Sequence, residues 1–198
     1  MSSVGLSECR NSGANWRSTP TLLTPLLRYT GGVKATEFVF ACEERAMRSL
    51  PPGFPRPERK VMWTILQLHY GNPNAHFELQ PQVSRGQVEL GLHFEGPVEQ
   101  NDVWTLGLAE RACELMAGLG DGWELEEWTS TWRRLHRVFR FEQLNPDLAH
   151  EVGEQLATAL TVLQPFAAAC AEGYVPPAPV VRPQQHSRNW RERRRARA

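Results

Sequence analysis

The chain predicts an α+β fold: an antiparallel sheet of about five strands, built as a three-stranded meander plus a hairpin, with helices over one face in the order α-βββ-α-ββ-α. Three observations lead there. Residues 61–95 alternate in polarity with a period of two and are punctuated by Gly71-Asn72-Pro73-Asn74 and by Arg85-Gly86. Segments near 36–50, 101–120 and 145–171 place apolar residues at helical spacing. Between them, 123–140 folds into matched pairs if the chain turns at Thr129–Thr131.

Residues 1–20 are polar with little to bury, so they are expected to be disordered ahead of a single domain over 21–173. Thr36 is the expected N-cap of the first helix. Phe38, Cys42 and Ala46 form its buried stripe with Val39 and Met47 beside it, and Pro51-Pro52 stops it. Val61 to Tyr70 reads as one strand rich in aromatic and β-branched residues, and two more follow at the turn signals. Asn101 is the expected cap of the second helix, with Val103, Leu106, Ala109, Cys113 and Met116 facing inward.

In the hairpin over 123–140, Trp128 should face Trp132, Glu126 face Arg134, Leu125 face Leu135 and Glu124 face His136, although a helical stripe also fits part of this segment. The last helix has the clearest start: Asn145 caps it, Pro146 takes the first helical position and Asp147 suits the helix dipole. Leu148, Val152, Leu156, Ala159, Leu163 and Phe166 are its buried face, and Pro165 should kink it or end it early.

Bulk properties narrow the function classes. The 198 residues carry a formal net charge of zero, but 182–198 hold seven Arg and one Glu, or +6, leaving 15 basic and 21 acidic residues, or −6, before them. Residues 174–198 read as a Pro-rich linker and a basic tail in which Arg188, Trp190, Arg191, Arg193, Arg194, Arg195 and Arg197 suit a polyanion such as nucleic acid or an acidic protein surface. The four cysteines show no CxxC and no tight Cys/His spacing. No apolar run is long enough for a transmembrane helix, and a cytoplasmic location is expected; the Ser-rich, acid-poor opening also has the look of an organelle transit peptide. No nucleotide-binding, metalloprotease or serine-hydrolase motif occurs, and no cofactor is implied.

His-Phe-Glu occurs twice, at 76–78 and 93–95. With Arg85-Gly86 as a two-residue turn, Glu78 faces His93 and His76 faces Glu95, while both Phe side chains turn inward. His76, Glu78, His93 and Glu95 are then the candidate catalytic residues for general acid/base work. A turn at 71–74 places His69 beside His76, so His69, His76 and Glu95 have the composition of a two-His, one-carboxylate metal site. The same residues also suit the ordinary polar side of a half-covered sheet. Two functions follow as expectations. The first is a non-catalytic binding or accessory protein whose body docks a macromolecular partner, or a second copy of itself through the uncovered sheet face, while the tail contacts nucleic acid or another polyanion. The second is a small metal-assisted or general acid/base hydrolase.

Overall fold

The computed structural model of the protein describes residues 32–173, so the expected disordered ends and the whole Arg-rich tail lie outside the described residues. Within them the fold is α+β. Helix α1 (Ala35–Ser49) is followed by strands β1 (Glu58–Met62), β2 (Ile65–His69), β3 (Ala75–Gln82) and β4 (Gln87–Phe94). Helices α2 (Val98–Glu110) and α3 (Ala112–Leu119), strands β5 (Trp123–Glu127) and β6 (Arg133–Arg140), and helix α4 (Pro146–Ala171) complete it. The six strands form one antiparallel sheet in the order β1-β2-β3-β4-β6-β5.

The helices share one face of the sheet. Period-two alternation sends Phe77, Leu79, Val88, Leu90, Leu92, Phe94 and Leu135 to that side. There they meet Phe38 and Cys42 of α1, Trp104 of α2, and Val152, Leu156, Leu163 and Phe166 of α4. Phe94 packs at 5.5 Å from Trp104 and 6.2 Å from Phe166, ring to ring. Among the described residues no helix is long and apolar enough to cross a membrane.

Several local expectations are corrected. The first predicted strand is two, because Trp63 adopts a positive φ of 54° and turns the chain, pairing Met62 with Ile65. The β3–β4 connection is a 3-10 turn over Val83–Arg85 closed by Gly86 at φ 58°, not a two-residue turn. Gln82 therefore pairs with Gln87, and the register is displaced by two residues. Lys34, not Thr36, is the N-cap of α1, and its backbone N–H donates to Glu37. The second predicted helix breaks at Arg111, whose φ of −107° and ψ of 12° divide α2 from α3. Asn101 lies inside α2, whose N-cap is Pro97, and the buried stripe runs through Asn101, Trp104 and Leu108 and on to Leu115 and Leu119 of α3, leaving Leu106 exposed. Pro165 is accommodated inside α4, which runs on to Ala171. The 123–140 hairpin forms in the predicted register, with Glu126 opposite Arg134 and Leu125 opposite Leu135.

Candidate metal centre on the polar sheet face

Alternation puts Gln67 and His69 of β2, His76 and Glu78 of β3, Glu89 and His93 of β4, and Arg134 and His136 of β6 on the side away from the helices. A half-covered sheet normally shows such residues to water. Here most are enclosed: His93 is 0%, His76 2%, Glu89 4%, His136 6% and Glu78 7% exposed. Trp128 rests edge-on against His93 at 5.4 Å and takes the Arg134 guanidinium over its ring at 5.0 Å.

The displaced register changes who faces whom. His76 pairs with His93, not with Glu95, and Glu78 pairs with Gly91, not with His93. The displacement is even, so every side chain stays on its predicted face. Because Gly91 adds no side chain, Glu78 can reach diagonally toward its neighbours. His76, Glu78, His93 and Glu95 consequently converge, each offering a ligand atom, with those atoms all within 4.8 Å of one another. The four catalytic candidates are thus one cluster. His69 is opposite His76 as expected, yet it stands apart from that cluster, its Nδ1 lying 3.8 Å from Glu58.

Hydrogen bonds fix much of this geometry. Pro73 O can only accept, so the 2.7 Å contact to His76 Nδ1 puts a hydrogen there and turns Nε2 toward Glu78 and Gln67. That Nε2 is 3.5 Å from Glu78 Oε2, and the Gln67 amide donates to both, at 3.0 Å and 2.9 Å. His93 lies between Glu89, 3.3 Å from its Nε2, and Glu95, 3.8 Å from its Nδ1. Neither ring nitrogen has an aligned hydrogen bond. Arg134 reaches Glu89 and Glu126, and Gln82 donates to Glu89.

Charge follows from these neighbours. Burial opposes a cationic His93, but Glu89, Glu95 and Glu78 outweigh it and push the imidazole up to about 9. Burial also opposes an ionised Glu89, which His93 and Arg134 nevertheless hold at about 2. Glu78 is lowered in the same way, burial being overcome by His76, His93 and Gln67. His136 is lowered by burial and by Arg134, against the pull of Glu89, Glu126 and Glu124. Such clustering of displaced titrations marks functional sites as well as structural networks.

No family model, curated protein or solved structure matches this chain. The site is therefore read from its own chemistry. Next to the cluster, an open groove of about 850 Å³ runs over the same face. Gln80, Gln82 and Gln87 line it together with Trp128, Arg134 and Arg140. Glu89 links the two, lining the groove and lying 3.3 Å from His93 of the cluster. The sequence pattern places the four residues on one face but carries no signal for the roles of Pro73, Trp128 and Arg134. Pro73 acts through its backbone, and Arg134 arrives by the β4–β6 pairing, which links residues far apart in the chain.

Proposed function

We propose that the protein is a non-catalytic binding module that takes an extended polypeptide across the groove on its polar sheet face, with the Arg-rich segment 182–198 contacting nucleic acid. The groove's lining carries the reading. Gln80, Gln82 and Gln87 form a row of amides bonded to one another, to Glu89 and to Arg140, and an incoming peptide backbone would exchange its own N–H and C=O groups for those bonds. Trp128 and Arg134 are stacked at its wall, and these residue types dominate binding energy at protein interfaces. Glu89, Glu124 and Glu126 are balanced by Arg85, Arg134 and Arg140, which suits a mixed chain better than a polyphosphate. The edge strands favour the face over the edges as the docking surface: β1 carries Glu58, Arg59 and Lys60 and β5 carries Glu124, Glu126 and Glu127, charges that discourage strand addition.

The hydrolase alternative has less support. Of its candidate residues, His76, Glu78 and His93 have side chains 2%, 8% and 0% exposed, and Glu95 alone, at 21%, lies at the rim.

A peptide-display selection against the full chain tests the groove. Selected peptides should lose at least about tenfold in affinity on Trp128→Ala, the loss of one interface anchor of about 1.4 kcal/mol or more. Peptides indifferent to both Trp128→Ala and Arg140→Glu would refute the groove as their site. Self-association that Trp63→Ala or Ile65→Ala abolishes, with no peptide selected, would instead assign the face to a second copy of the chain. For the basic segment, single-stranded nucleic-acid affinity should fall between 50 mM and 200 mM salt, and ending the chain at residue 181 should remove most of it. Affinity unaffected by both changes would exclude that contact.

A further inference from the structure

We propose that His76, Glu78, His93 and Glu95 bind one divalent transition-metal ion of the zinc class. The proposal is independent of what occupies the neighbouring groove. Two imidazoles and two carboxylates are a borderline donor set, suited to zinc and its first-row neighbours rather than to calcium or magnesium, which favour oxygen throughout.

The spacing fits. Metal–nitrogen and metal–oxygen bonds of about 2.1 Å at tetrahedral angles put ligand atoms about 3.4 Å apart. The Glu78–His76 pair already stands at 3.5 Å and the Glu95–His93 pair at 3.8 Å, within a set no more than 4.8 Å across. Small side-chain rotations close the difference.

Orientation fits as well. A metal-bound histidine usually donates its other ring N–H to a carbonyl or carboxylate, which fixes the tautomer. His76 has that arrangement, Nδ1–H donating to Pro73 O at 2.7 Å and Nε2 turned into the cluster. His93 supplies the independent pointer to a ligand: it is fully buried, neither ring nitrogen makes an aligned hydrogen bond, and it faces the same point. With its Nδ1 on the ion, Nε2 is left to donate to Glu89, 3.3 Å away. His76 Nε2 exchanges its contact with the Gln67 amide for the ion, and that amide keeps its bond to Glu78. Glu95, with its side chain 21% exposed, is the rim through which an ion enters.

The test uses the full chain, stripped with chelator and titrated calorimetrically with Zn²⁺, with Co²⁺ as a spectroscopic substitute. One ion per chain should bind, Co²⁺ should give the absorption of a four-coordinate N/O site, and Zn²⁺ should raise the melting temperature. Glu95→Gln, at the rim, and His76→Gln should each weaken Zn²⁺ by more than about a hundredfold, beyond the loss usual for an outer-shell residue. Glu95→Gln should melt near the wild-type temperature without metal, which separates lost binding from lost folding. His150→Ala, on exposed α4 surface, should bind as the wild type does. Failure of the wild type to bind, retention of binding in both cluster variants, or equal affinity for Ca²⁺ would overturn the proposal.

Discussion

Gly91 shows how much one missing side chain decides. It sits in β4 on the polar face, opposite both Glu78 and His136. A Cβ there would stand 2.8 Å from His136 Cβ and 2.8 Å from the Leu135 carbonyl, neither of which can swing away. Gly91→Ala should therefore cost about 1–3 kcal/mol, as overpacked sites do, read as a lower urea midpoint at unchanged slope. Asn101 is a second decisive residue. Fully buried in α2, it accepts from Gly96 N–H at 3.0 Å and donates to Gly96 O and Thr131 O, both at 2.9 Å. These bonds tie the β4–α2 loop to the β5–β6 turn. Asn101→Ala strands three backbone groups and should cost about 2–4 kcal/mol in the same measurement. An Asn before an apolar run reads as a cap; what distinguishes this one is a partner 30 residues away, which local patterning does not register.

Among the elements, the closest packing joins α1 to α4. A Cβ on Gly153 would lie 2.7 Å from Arg45 Cβ and 2.8 Å from the Cys42 carbonyl, so the two backbones approach as only glycine permits. Gly153→Ala should push the helices apart and lower stability by about 1–3 kcal/mol, with helical circular dichroism below the transition little changed. Leucine at the same position should cost more, and equal stability of all three proteins would show that the approach is looser than this. The two helices were legible because each has a continuous apolar stripe: Phe38, Cys42 and Ala46, and Val152, Leu156 and Leu163. The β5–β6 hairpin was legible because its pairs match in chemistry as well as in spacing. The β3–β4 turn was not, since Arg85-Gly86 suits either a two-residue turn or the end of a 3-10 turn. The site survived that error because a shift of two preserves the face. The turn at Trp63 was missed because an aromatic residue in the left-handed region has no local signal, and Trp63 alternates as a strand residue would.

At the scale of the molecule, the sheet separates two kinds of interior. One side is a hydrocarbon core under four helices, where alternation and helical spacing agree. The other buries charge, and buried charge persists only when compensated. Glu89, 4% exposed, illustrates the dependence: it is enclosed with His93, and the guanidinium of Arg134 binds it from the next strand. Arg134→Met keeps the length and apolar stem of the side chain but leaves Glu89 and Glu126 without their common cation. It should cost about 3–5 kcal/mol, the usual result of removing one partner from a buried pair. Glu89→Gln in that background should recover part of the loss, because it removes a buried charge that His93 alone would compensate. The four proteins make a double-mutant cycle, and urea unfolding should give a coupling of about 1–3 kcal/mol between the two positions. Additive losses would mean that Arg134 acts through Trp128 and packing alone. Strong coupling would mean that this face is organised by charge as well as by packing.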